Sequence, residues 1–183
     1  MPRVLSAFAE TFPLHSPFRI SRGTKTAAEV VTVMISDNGV IGRGEGVPYP
    51  RYGESVTSAI AAIEDARAAL ERGANRQEIM QSMPAGSARN AVDCALWDPE
   101  LRQAGGDVAA TLDLPVPPAP IVTAMTVGLD TAENMGRAAA ALAAAPLLKV
   151  KVDRRDPGSL MRAVRAAAPK ARMIVDPNES WTI

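Results

Sequence analysis

Apolar and polar positions change their spacing twice along this chain, and each change marks a change of architecture. In the first third they alternate. Val4 to Pro13 predicts a strand, Val30 to Ser36 a second, and Asp37-Asn38-Gly39 a tight turn into a third over Val40 to Glu45. Ser16 to Thr26, with Pro17, Gly23 and the basic residues Arg19, Arg22 and Lys25, predicts a polar loop. Gly46 to Gly53, stiffened by Pro48 and Pro50, predicts another. From Glu54 the spacing turns helical: Ala59, Ile60, Ile63, Ala66 and Leu70 share one face, and Gly73 stands where a helix would stop. A short helix over Arg76 to Ser82 follows. A longer one, Ser87 to Ala104, has Ala88, Ala91, Val92, Ala95 and Leu96 as its apolar stripe. Pro99 falls inside it, where a missing N–H costs about 3 kcal/mol, so a bend is expected there.

The second change follows Leu114-Pro115-Val116-Pro117-Pro118-Ala119-Pro120, which can neither continue a helix nor form a central strand. It divides the chain into an α+β domain over 1–114, a linker over 115–120 and a second domain over 121–183. In the latter, strands are expected over Ile121 to Val127, Leu147 to Val152 and Ala171 to Asp176. Between them lie helices from Asp130-Thr131 to Ala144 and from Pro157 to Ala168. Strands alternating with helices in this order imply a parallel sheet.

Composition narrows the function classes. Twenty basic and 20 acidic residues give zero net charge, which supplies no field for nucleic acid or for an anionic membrane surface. No stretch nears the ~20 apolar residues of a membrane span, and the N-terminus lacks the apolar core of a secretory signal. With Cys94 alone, no internal disulfide can form; a cytoplasmic location and a buried, inert thiol are expected. His15 reads as a surface residue, and Gly42-Arg43-Gly44 lies in a hairpin, not at a helix start, so it is no phosphate loop.

The candidate chemistry gathers at the last two strands. Lys149 and Lys151 are two apart, so a strand points both ammonium groups to one face. Like charges side by side favour loss of a proton from one of them, as a general base requires. Asp176 ends the next strand, at the edge where parallel β/α folds place their active sites, and an oxygen ligand there suits Mg²⁺.

Leu147-Leu148-Lys149-Val150-Lys151-Val152-Asp153, followed one β/α unit later by Ile174-Val175-Asp176-Pro177-Asn178-Glu179-Ser180-Trp181, resembles the paired barrel motifs of the enolase superfamily. Pro48 to Ser55 and Pro84 to Asp98 resemble the capping domain of bacterial L-Ala-D/L-Glu epimerases, and the similarity runs in register along essentially the whole chain. The resemblance implies an α+β N-terminal capping domain followed by the first β/α units of an incomplete TIM-type (β/α) barrel. It implies a Mg²⁺-dependent epimerase of small dipeptides from cell-wall peptide, acting through α-proton abstraction and an enediolate. Lys151 would be one of two acid/base residues, Lys149 would tune it, Asp176 would be the first of three carboxylate ligands to Mg²⁺, and Asn178 would support that strand end. Arg22, and Arg51 with Tyr52, would lie in the capping loops that select substrate. Self-association is left open.

The sequence also departs from that family. Three barrel strands leave two metal carboxylates, the opposing base and the residues for a dipeptide ammonium group unaccounted for, so truncation within the barrel and an inactive chain are expected. Pro99 and Pro177 stand where the relatives have no proline. Two alternatives remain open: a non-catalytic remnant or interaction module, and another reaction of the superfamily such as cycloisomerisation or o-succinylbenzoate synthesis.

Overall fold

A computed structural model describes residues 3–20, 23–106, 108–115 and 119–182. The elements are β1 (Val4–Ile20), β2 (Gly23–Asp37), β3 (Val40–Gly46), a 3-10 turn (Pro50–Tyr52), α1 (Val56–Glu71), α2 (Arg76–Ser82), α3 (Ser87–Gln103), α4 (Val108–Thr111), β4 (Met125–Val127), α5 (Ala132–Ala141), β5 (Leu147–Lys151), α6 (Pro157–Ala167) and β6 (Arg172–Asp176). They form two compact units, residues 1–13 with 28–118 and residues 14–27 with 119–183.

In the first unit β1, β2 and β3 form a sheet in that order, with β2 antiparallel to β3 through Val31↔Gly46 to Asp37↔Val40. Within the stretch expected to form a polar loop over 16–26, the residues up to Ile20 instead prolong β1 and those from Gly23 prolong β2. Most of these residues are exposed on both faces, so their sequence carries no alternating apolar signal. Pro17 lies in β1, an edge strand, which is where sheets accommodate proline. Arg22 and residues 116–118 of the predicted 115–120 linker lie outside the described residues.

Helices α1 to α3 supply the core with Val31, Val33 and Ile35 through Ile63, Leu70, Ile79, Val92 and Leu96, all essentially inaccessible. Ser55 caps α1 reciprocally with Ser58, and Asn75 caps α2 with Glu78, which satisfies backbone donors that helix starts leave open. Strand β3 meets α3 through glycine. A Cβ on Gly42, Gly44 or Gly46 would fall 2.1, 1.9 or 2.2 Å from the carbonyl oxygens of Ala95, Ala91 and Ser87. Glycine at every second strand position thus faces every fourth helix position, since two strand residues span nearly the rise of four helical ones.

Pro99 lies within α3, which continues through it to Gln103. The ring is buried, and its Cδ would meet a Cβ on Gly42 at 2.2 Å. Packing against β3 offsets the lost bond. Cys94 departs from expectation, since it is exposed. At 3.6 residues per turn it falls off the Ala91-Val92-Ala95-Leu96 face.

The second unit holds a parallel sheet in the order β4-β5-β6. Met135 and Ala139 of α5 and Leu160 and Val164 of α6 cluster with Leu148, Val150 and Val152. Strand β4 is shorter than the expected Ile121 to Val127, and Ile121 is 92% exposed. Helix α5 ends at Ala141, before the expected Ala144, in tight turns such as Ala143 N–H to Ala140 C=O, because Pro146 follows. No described helix is long and apolar enough to cross a membrane.

The glycine face of β3 yields the first prediction. Gly44→Ala places a methyl group against helix backbone that cannot rotate away, and is expected to cost about 3 kcal/mol or more in urea unfolding. Ile41→Ala, on the exposed side of the same strand, is expected to stay within about 0.5 kcal/mol of the parent.

Candidate functional site

Alternation along β5 divides its side chains cleanly. Leu148 and Val150 are buried among the α5 and α6 residues, which sends Lys149 and Lys151 to the opposite face. Strand β6 runs parallel beside it with Lys149↔Ile174 and Lys151↔Asp176 as partners. That register brings three charges together. Asp176 Oδ2 accepts from Lys151 Nζ at 2.7 Å and pairs with Lys149 Nζ at 2.9 Å. The Lys151 side chain is only 8% exposed, whereas Lys149 is 39% exposed. The two ammonium groups, Lys151 first, hold the Asp176 carboxyl well below the usual carboxylate range.

The loop after β6 secures the same carboxylate. Asn178 donates its backbone N–H to Asp176 Oδ1 at 2.9 Å, and Val152 N–H donates to the Asp176 carbonyl at 3.2 Å. Asn178 and Glu179 both have left-handed backbones, with φ of 47° and 63°. Asparagine tolerates that conformation better than most residues. The chain therefore turns back just past Pro177, and Asn178 supports the strand end through its backbone.

Several neighbours carried no sequence signal of a role. Phe18, from the outer end of β1, places its ring 5.8 Å from Lys151 Nζ. Nothing in the local sequence pairs Phe18 with Lys151, because the two are brought together only by tertiary folding. Arg19 accepts at its carbonyl from Leu129 N–H at 3.2 Å. Asp153 lies two residues beyond Lys151, past the end of β5. It is buried, and its carboxylate accepts from Arg155 N–H at 3.0 Å and Nε at 2.8 Å, which lowers its pKa. Trp181 Nε1 donates to the Asp153 carbonyl at 3.3 Å, tying the loop after β6 to the end of β5. A pocket of about 340 Å³ opens beside these groups, lined by Arg19, Leu129, Asp130, Asp153, Arg155 and Leu160 among others.

Of the residues singled out from sequence, Lys149, Lys151, Asp176 and Asn178 come together. Arg51 and Tyr52 belong to the first unit, in the 3-10 turn, where Tyr52 is 75% exposed. Among the described residues, no group of three or more His, Cys, Asp or Glu stands close enough to hold a metal ion.

Residues 3–113 match the family described as mandelate racemase / muconate lactonizing enzyme, N-terminal domain. The chain belongs to this family, within the enolase superfamily. Over 181 residues it is 44% identical to the L-Ala-D/L-Glu epimerase of Escherichia coli K12, covering 98% of this chain and 56% of that protein. An enolase-family structure from Agrobacterium tumefaciens, described as homologous to dipeptide epimerases and solved with sodium and L-Ala-L-Glu, matches at TM-score 0.93 and 47% identity. That match covers 99% of this chain and 55% of the other. A dipeptide epimerase from Enterococcus faecalis V583, complexed with Mg and L-Leu-L-Tyr, matches at TM-score 0.87 and 25% identity, over 100% and 55% of the two chains. The chain spans about half the length of the curated relatives it matches. These likenesses agree with an enolase-type capping domain followed by part of a β/α barrel.

The ion triad can be tested by titration. A depressed folded-state pKa contributes stability that is complete above the ordinary aspartate value of about 3.9 and is lost as pH falls below it. Carboxyl ¹³C NMR of the folded chain is expected to show Asp176 titrating below that value. Lys151→Ala is expected to raise the midpoint more than Lys149→Ala, because the Lys151 hydrogen bond contributes most.

Proposed function

We propose that this chain carries one side of a Mg²⁺-dependent dipeptide-epimerase site, acting on L-Ala-D/L-Glu, with Lys151 as one of two acid–base groups at the substrate α-carbon. The observation that supports it most is the Lys151–Asp176 pair on adjoining parallel strand ends, in a chain 44% identical to a known L-Ala-D/L-Glu epimerase.

An α-proton beside a carboxylate is weakly acidic, so the enediolate left by its removal has to be stabilised. In this superfamily a lysine or histidine base works with Mg²⁺ to that end. Lys151 Nζ would take the α-proton from one face of the α-carbon as the neutral amine, or deliver a proton to that face as the ammonium, from a nearly buried position that keeps bulk water away, while the base on the opposite face does the converse. Lys149, more open, would place a second positive charge beside the developing enediolate oxygens. Asp176 keeps both ammonium groups in place. Its Oδ1 accepts one N–H, and an ionised carboxylate has about four lone-pair sites, so Asp176 also fits as a single oxygen ligand. Mg²⁺ bound there would supply charge to the substrate carboxylate as it becomes an enediolate. The remaining metal ligands and the base on the opposite face of the α-carbon are assigned to parts of the site outside these residues. Arg51 and Tyr52, and Arg22, are proposed to meet substrate from the capping loops. The chain alone is accordingly expected to be inactive, and a cytoplasmic enzyme of cell-wall peptide metabolism is the setting proposed.

The reading is tested by exchange of the dipeptide α-proton in D₂O with Mg²⁺. The 183-residue chain is expected to give no exchange above background. A chimera in which it replaces the matched 56% of the E. coli epimerase is expected to exchange and epimerise L-Ala-L-Glu. Lys151→Ala in that chimera should lower kcat by about 10²-fold or more. A folded chimera that exchanges equally well without Lys151 would remove the assignment.

A further inference from the structure

The turn that carries Arg51 and Tyr52 is held by a carboxylate that no part of the proposed chemistry uses. Glu54 follows the turn, immediately before Ser55, the N-cap of α1. Its Oε1 accepts from the Ser87 backbone N–H at 2.6 Å and from Ser87 Oγ at 2.7 Å, at the first residue of α3. Its Oε2 accepts from Tyr49 N–H at 3.2 Å, at the start of the turn. Gly86, the N-cap position of α3, makes no side-chain cap of its own, and a Cβ there would lie 2.6 Å from Glu54 Oε1. Glycine at 86 thus leaves room for a cap delivered from 32 positions earlier in the chain.

We propose that Glu54 is a positioning residue, whose single carboxylate both caps α3 and anchors the Pro50–Tyr52 turn, so that Arg51 and Tyr52 are presented from a fixed backbone. Its importance for substrate rests on the reading of Arg51 and Tyr52 given above; the anchoring does not. The geometry favours this role. A helix start leaves backbone donors open and draws negative charge, and ionised acceptors make the stronger hydrogen bonds. The Ser87 backbone bond, followed by the Ser87 hydroxyl, lowers the Glu54 pKa. The turn's own bonds are Tyr52 N–H to Tyr49 C=O at 2.9 Å and Gly53 N–H to Pro50 C=O at 3.0 Å, with the Tyr49 and Tyr52 rings 5.8 Å apart. These bonds fix the shape of the turn. Glu54 fixes its place on α3, and α3 is itself locked to β3 by the glycine contacts.

The test is ¹⁵N NMR of the full 183-residue chain. If one carboxylate serves both amides, the Tyr49 and Ser87 resonances shift together on acidification, with a shared midpoint below the ordinary glutamate value of about 4.3. Glu54→Gln is expected to abolish both shifts and to speed hydrogen exchange at Tyr52 and Gly53 about tenfold, with the centre of α1 unchanged. Independent midpoints, or shifts that persist in Glu54→Gln, would overturn the proposal. So would faster exchange spread evenly over α1 and the turn, since that reports only lost global stability. Should Glu54→Gln not fold, Gly86→Ala serves instead: its methyl group displaces Oε1, and the Ser87 shift is expected to vanish. Retention of that shift would count equally against the anchor. Failure of the substrate reading would leave every one of these spectra as expected.

Discussion

The candidate site depends on the register between β5 and β6. Parallel pairing sets Lys151 opposite Asp176, and alternation sets Lys149 on the same face one pleat earlier. A shift of one residue would turn both lysines toward α5 and α6 and bring Leu148 and Val150 out to the open face. Burial of Leu148, Val150 and Val152 beneath those helices therefore fixes where the charges point, and the charges need no energy of their own to hold the register. With the backbone settled, a carboxylate between two ammonium groups leaves a net positive site at the end of the strands. Such a site attracts negative charge.

The first unit reaches precision by a different route. Its helix–sheet contact relies on omitted side chains: three glycines on β3 let α3 approach until its carbonyls touch strand backbone. The same contact accommodates Pro99, whose ring is buried against Gly42. With α3 so firmly seated, its first turn becomes a fixed reference point for the neighbouring loop, and Glu54 is the group that connects them. Backbone contact, helix cap and loop form one continuous chain of constraints.

Much of this was legible in the sequence because local periodicity reports burial on one face. The helices α1, α2, α3 and α6 lie close to their expected bounds, as do strands β5 and β6. The outer ends of β1 and β2 were not legible: exposed on both faces, their residues carry no alternation, and Pro17 with Gly23 reads locally as a loop. Cys94 was misread because an apolar neighbourhood in sequence is not an apolar face at helical spacing. Phe18 beside Lys151 had no local signal at all, since the contact joins residues far apart in the chain.

The sequence by itself determined which residues could share a face. Lys149 and Lys151 had to point the same way once their segment became a strand, and Asp176 had to end the next one. It also carried the family, because the two barrel motifs and the capping segments stand in it in order. Only the tertiary structure decided that one carboxylate oxygen meets both ammonium groups, that Glu54 joins two distant amides, and that a proline can stay within a helix. Those outcomes depend on distances between segments remote in the chain, and such distances follow from how whole faces pack, which no local pattern of residues encodes.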